Sequence, residues 1–407
     1  MSRRDFLKGF ALAGAGAGAG LYSLSLLKPS MVTTGVGDGT KTAEAMSELI
    51  EMIARKDASF DDLAWRLLGD EDTLAEARLL LLHTLNHALD VWLAADPARP
   101  AFRRWHFPDK KLFGDNPDAI YYETPVSAEY AYRITGNVDD ATYTSFSVEL
   151  EKKSGDRVGK LGATLNDSEF EIASDGSYEI VASATRKEGN WLELAPEANS
   201  ITTRHYFELE DSVALDLVRR VPLVIEPLEP PAPAPPPTDA SVAASIRRVT
   251  QWLDKSVNPL GQDMTFSWVS KVPNQLPAPS LDSGNEDIGY AALDNVYSMA
   301  PFLLKPHQAL VIRGRWPKCR FANIVLWNRF LQTFDYRYRT VSRNRKQTTL
   351  EKDGSFKMIV AHEDPGLPNW LDTEGRMLGL MFWRFQLPEE EIEPLTTEVV
   401  SFASLQP

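Results

Sequence analysis

The stretch DGSFKMIVAHEDPGLPNWLDTEGRMLGLMFWRFQLP (residues 353–388) decides the fold, because an outline of it already stands upstream. Residues 175–209 read DGSYEIVASATRKEGNWLELAPEANSITTRHYFEL. The Asp-Gly-Ser turns at 175 and 353 are offset by 178 residues (353 − 175), and so are Phe207-Glu208-Leu209 and Phe385-Gln386-Leu387. Gly136 in YRITG and Gly314 in LVIRG keep the same offset. Asn190-Trp191 and Asn369-Trp370 slip by one residue, the size of a loop insertion. Three landmarks in one register and a fourth displaced by one residue predict a duplicated domain. The competing explanation is two unrelated sandwiches that share turn chemistry.

Around these landmarks the texture is that of short strands. Residues 130–136, 141–150 and 200–210 alternate apolar and polar side chains, which is the period of a half-buried strand. Residues 169–184 read as a hairpin about Asp175-Gly176-Ser177. No helix-length crossover separates the strands, so the sheets are predicted antiparallel. Pairs such as Ile324/Leu326 and Met358/Val360 supply the inward faces. The fold class is therefore mainly β with helical additions. It comprises two related antiparallel sandwich or jelly-roll-like domains and an N-terminal helical segment.

The rest of the chain divides around this repeat. Residues 1–35 open on Ser2-Arg3-Arg4-Asp5-Phe6-Leu7-Lys8 and run into a Gly/Ala-rich apolar stretch. That is the pattern of a twin-arginine export signal, with an uncut anchor as the alternative. It predicts a periplasmic or extracytoplasmic protein exported already folded. Residues 40–98 form a helical hairpin or small bundle, with Ala45, Leu49, Ile50 and Ile53 near one stripe. The first sandwich occupies 100–225, and the Pro-rich segment 226–238 is a semi-rigid spacer. Residues 239–407 hold an amphipathic helix and the second sandwich.

From ALVIRGRWPKCRF through LMFWRFQLP, the second copy resembles a bacterial family catalogued as domain of unknown function 1214, often associated with a sister domain numbered 1254. The resemblance covers about residues 290–390. It implies a jelly-roll-like β fold. The family has no settled activity, so the resemblance implies no catalytic residue.

Bulk properties exclude several functions. The net charge of −14 disfavours general nucleic-acid binding, because phosphates would be repelled. No run after the first segment approaches the ~20 apolar residues of a membrane span, so membrane contact is expected only through an uncleaved signal. The single thiol, Cys319, forms no intramolecular disulfide and is placed in a strand core. No cofactor and no metal site are expected. His83 and His87 stand four apart on a helix, but without a third ligand they read as a helix face against the sandwich.

The sharpest local feature is FDYRYRTVSRNRK, residues 334–346. Ten Lys and Arg lie between Arg313 and Lys346, against one acid, Asp335. If residues 335–345 are extended, Arg337, Arg339, Arg343 and Arg345 share one face. Guanidinium forks bind carboxylate, sulfate or phosphate. The bland reading is a solvated face paired with acids on a neighbour. The candidate ligand-binding residues are Asn328, Arg329, Asp335, Arg337, Arg339 and Trp370. His362 is the weak catalytic candidate, with Glu363 and Asp372 as nearby acids. Asn369 is read as a loop tie and Trp370 as a plug of the sandwich core or its mouth.

Three functions stay open. The first is binding of a small anionic or carbohydrate-like ligand in the C-terminal sandwich. The second is an envelope hydrolase or lyase using His362 and a carboxylate. The third is a structural envelope protein.

Overall fold

A computed structural model describes residues 39–61, 71–151, 160–257, 266–280, 290 and 292–405. The signal-like segment therefore lies outside the described residues. Among the described residues there are seventeen strands in four sheets and three α-helices. No described helix is long and apolar enough to cross a membrane.

The first sandwich pairs two sheets. One has the order β1 (Arg103–Arg104), β2 (Ala119–Pro125), β8 (Ala198–Tyr206), β4 (Tyr143–Leu150), β5 (Lys160–Asn166). The other runs β7 (Trp191–Glu193), β6 (Ser177–Ser183), β3 (Tyr132–Asn137), β9 (Leu223–Pro227). The second sandwich has β10 (Asn295–Leu303), β16 (Leu378–Gln386), β12 (Phe321–Trp327), β13 (Ser342–Asn344). Against it lies β15 (Trp370–Asp372), β14 (Phe356–Ala361), β11 (Gln308–Gly314), β17 (Thr396–Ser401). Apart from β1, each strand of one sandwich has a counterpart at the same place in the strand order of the other. Phe146, Ile134, Ile180 and Ile201 fill the first core, and Ile324, Met358, Val360 and Trp383 the second.

Several expectations need correcting. The sheets are antiparallel except for two short parallel pairs, β6–β7 and β14–β15. Both are made by the Asn-Trp-Leu tripeptides. Asn190 Oδ1 accepts from Glu171 N at 2.7 Å, and its amide donates to Glu171 O and Glu179 O, both at 2.9 Å. Asn369 repeats this with Thr349 N at 2.8 Å, Thr349 O at 2.7 Å and Lys357 O at 3.1 Å. The amide thus replaces missing ladder partners and holds the returning chain beside β6 or β14. Leu192 and Leu371 enter the cores. Trp370 does not plug the core. It is half-buried on the far face of its sheet, against Ala309, Ile359 and Ala361, with Nε1 donating to Ala361 O.

The predicted hairpin about Asp175 is absent, because the residues before it form turns and β6 pairs with β3 instead. Only Ser342–Asn344 of the 335–345 stretch is strand, so its arginines do not share one extended face. Cys319 is buried two residues ahead of β12 rather than within a strand, and burial pushes its thiol up to about 11. The Pro-rich spacer begins two residues late, since β9 extends to Pro227.

The helices are α1 (Lys41–Ser59), α2 (Glu71–Trp92) and α3 (Asp239–Ser256). In α1, Met52 joins Ala45 and Leu49 in the buried stripe, and Ile50 lies outside it. Thr238 and Ser241 form a capping box that starts α3. Asp239 also receives the backbone N–H groups of Lys41 and Thr42 at 3.0 and 2.9 Å, tying the start of α1 to α3. Arg247 pairs with both oxygens of Glu48 along the same contact. All three helices contribute to one apolar cluster with Trp105, Tyr121, Tyr206 and Phe321. That cluster leads directly to the site.

Candidate functional site between the sandwiches

Strands β2, β4, β8 and β12 are almost wholly buried on both faces. A strand buried on both faces needs cover on both sides. One face of each sheet meets its own core. The other faces of the β2–β8–β4 and β10–β16–β12 sheets meet each other and the helices. Alternation sends Tyr121, Glu123, Tyr143, Ser145, Ser147, Glu149, Arg204 and Tyr206 into this layer from the first sandwich. The second sends Asn295, Tyr297, Phe321, Asn323, Arg384 and Gln386. This is a polar layer inside the protein.

Many of its groups are satisfied, some within the first sandwich and some across the interface. Asn323 donates to Asn116 Oδ1 and Asp118 Oδ2, both at 2.9 Å, and Asn344 to Asp118 Oδ1 at 3.2 Å. Burial raises the Asp118 carboxyl to about 6. Arg204 donates to Ser147 Oγ at 2.8 Å and to Tyr290 O at 2.9 Å. Glu123 accepts from Ser200 Oγ at 2.7 Å and Tyr290 Oη at 2.9 Å, and His87 Nε2 lies 3.0 Å from its other oxygen. His87 therefore faces the sandwich. Among the described residues no group of three or more His, Cys, Asp and Glu is arranged to hold a metal ion.

Other groups have no partner among the described residues. Arg384 is 4 % exposed and has a side-chain hydrogen bond with Tyr297, while among the described residues its Nε and Nη1 have no acceptor. Its guanidinium lies 4.9 Å from the Phe382 ring centre and 5.6 Å from that of Tyr206. Gln386, two residues along the same face, has neither amide atom paired, and Asn295 Oδ1 beside it is also unpaired. Glu149 keeps one carboxylate oxygen unpaired, and burial raises its carboxyl to about 7. Burial also holds Tyr121, Tyr143 and Tyr290 well above the usual phenol range, and Tyr297 at about 12. The tyrosines are neutral hydroxyl donors.

A cavity of ≈ 150 Å³ opens at the edge of this layer. Tyr143, Ser145 and Ser147 of β4, Thr164 and Asn166 of β5, and Asp294 are among its lining residues. At ~30 Å³ per water it holds about five waters. Asp294 accepts from Tyr143 Oη and from Asn166 Nδ2. Arg204 reaches the cavity through Ser147, and the Asp294–Asn295 step joins it to the Gln386 side. A larger groove of ≈ 500 Å³ between Lys41 and Gln251 is shallow and has no buried polar group in its wall.

The residues singled out by sequence fall elsewhere. Arg337 donates to both oxygens of Asp335 at 2.8 and 2.7 Å, and Arg339 to Asp372 at 2.8 Å. Asn328 bonds Gln332 and the backbone of its own turn, next to Arg329. Arg345 grips Glu208 with two bonds, joining the basic segment to the first sandwich. His362 Nδ1 lies 2.6 Å from Thr373 Oγ1, and Nε2 lies 3.3 Å from Leu304 O. The imidazole thus faces a hydroxyl and a carbonyl at these two nitrogens rather than a carboxylate. The structure does not bring Trp370 or His362 into the polar layer. Sequence reading missed Arg384. Its signal was a lone cation inside MFWRFQ, a strand that is otherwise apolar up to Gln386.

No curated protein matches the chain in sequence. A solved protein from Vibrio parahaemolyticus aligns at 11 % identity over 80 % of this chain and 98 % of that one, with a TM-score of 0.44. An uncharacterised protein from Burkholderia cenocepacia is similar over 89 % of this chain and 97 % of its own, at 28 % identity and a TM-score of 0.72. The resemblance read from the sequence falls where a family match is found: residues 310–390 match the family described as Protein of unknown function (DUF1214).

Proposed function

We propose that the protein binds a small anionic, hydroxylated ligand, such as a sugar acid, between its two sandwiches. The supporting observation is Arg384, a buried guanidinium with two nitrogens lacking acceptors. A buried guanidinium with unsatisfied nitrogens is costly, and a carboxylate presents the fork it fits. Gln386 and Asn295 supply further amide groups, and the hydroxyl-lined cavity at Ser145 and Ser147 takes the polar remainder. The test is thermal denaturation with D-glucuronate, D-glucose and inorganic phosphate. Glucuronate is expected to raise the melting temperature most. Equal melting in all three and in buffer overturns the reading.

A second reading keeps the ligand on the two successive turns carrying Asn328 and Arg329, and Asp335, Arg337 and Arg339. What favours it is Tyr338, 81 % exposed between two arginines. The enzymatic alternative rests on His362 and requires turnover that disappears in His362→Ala while binding survives. We further propose that the sandwiches are copies of one domain, on the strength of their shared strand order and their two equivalent asparagine ties. Export in the folded state follows from Arg3-Arg4. Replacing both by Lys should retain the protein in the cytoplasm, and unchanged export would refute it.

A further inference from the structure

Helix α2 carries two apolar stripes and uses one. Leu81, Ala88, Val91 and Trp92 face the interior. On the opposite side Leu79, Leu82 and Leu89 are exposed, with Leu93 one residue past the helix end. Leu79 and Leu82 are 51 % and 55 % exposed. Together with the exposed Asn86 they follow the three-four spacing 79, 82, 86, 89, 93, which places all five within one narrow stripe. A helix apolar on both sides is normally covered on both sides.

We propose that a second copy of this chain covers the stripe, α2 against α2, in a two-fold dimer. The spacing is nearly palindromic about Asn86. Leu79 and Leu93 stand seven residues to either side, and Leu82 and Leu89 stand four and three. A two-fold interface brings the same patch together from both subunits, so each residue must suit its own symmetry partner. Leucines meet leucines, and Asn86 meets Asn86, where a single amide pair inside an apolar seam fixes register. A lipid surface fits less well, because the helix carries the acids Glu71, Asp72, Glu76 and Asp90 and its one arginine, Arg78, is bound to Asp57.

The test is light scattering of the full chain at tens of micromolar, for the wild type and for the Leu82→Glu/Leu89→Glu variant. Both changes lie on the exposed stripe, and far-ultraviolet circular dichroism of the variant should match the wild type. The expected result is twice the chain mass for the wild type and one chain mass for the folded double variant. A wild-type monomer overturns the proposal, and binding of that monomer to phosphatidylglycerol vesicles would assign the stripe to lipid instead. A double variant that remains dimeric also overturns it, because the interface would then lie elsewhere.

Discussion

Two sets of arginines in the second sandwich behave in opposite ways. Arg337 and Arg339 lie on an open turn, dense in charge, and each already holds a carboxylate of the protein. Arg384 is the one cation of a largely apolar strand, buried, with Nε and Nη1 unpaired among the described residues. Charge density along a sequence reports how a surface neutralises itself. A solitary charge where the strand pattern calls for an apolar or neutral residue reports a buried need. The difference teaches that the second kind of signal is the better guide to an unsatisfied buried group.

The comparison can be broken most severely at Arg384. A buried charge without an ion-pair partner carries a desolvation cost of several kcal/mol that an apolar side chain of similar volume does not carry. Arg384→Met is therefore expected to unfold in urea no earlier than the wild type while losing ligand affinity about a hundredfold or more. A large loss of stability would mean that the arginine serves the fold.

The next largest effect is on pH dependence. Burial holds the Glu149 carboxyl at about 7, above its ordinary 4.5. The folded state therefore keeps a proton that the unfolded chain releases. The stability this contributes is present in full below pH ~4.5 and is lost as pH rises through ~7. Urea unfolding should show the wild type losing stability between about pH 5 and about pH 8, and Glu149→Gln losing less. Equal slopes in the two proteins would show that Glu149 does not carry the effect.

Smaller effects separate scaffold from site. Asn190→Ala and Asn369→Ala each remove three hydrogen bonds of a loop tie and leave backbone groups unpaired, at a cost of about 1–3 kcal/mol. Ligand affinity should not change in either variant, which a titration checks. Asn369 also sits at φ 60°, a conformation that Asn tolerates better than Ala, so its loss should be the larger of the two. The smallest effects belong to Arg337→Ala and Arg339→Ala. Both arginines are well exposed, so each change should shift stability by less than about 1 kcal/mol and leave affinity intact. A tenfold loss of affinity in either would favour the turn over the interface.

Much of the fold was legible because it is local and periodic. Ile324, Leu326, Met358 and Val360 face the core where alternation placed them. The parallel pairs were not legible, because a three-residue strand such as Trp370–Asp372 has no pattern of its own and is held by one amide. Trp370 was misplaced for the same reason: which face a strand residue takes depends on register, and one step sends Leu371 inward instead. The interface escaped because it joins residues far apart, such as Asp118 with Asn344 and Tyr206 with Phe321. Polar residues on a strand imply solvent until a second domain is known to cover them.

The central claim is that Arg384 receives an anion. Titration calorimetry with D-glucuronate on the wild type, Arg384→Met and Arg337→Ala tests it most directly. Binding that persists in Arg337→Ala and vanishes in Arg384→Met is the predicted result. Binding retained in Arg384→Met, or lost in Arg337→Ala alone, would contradict it.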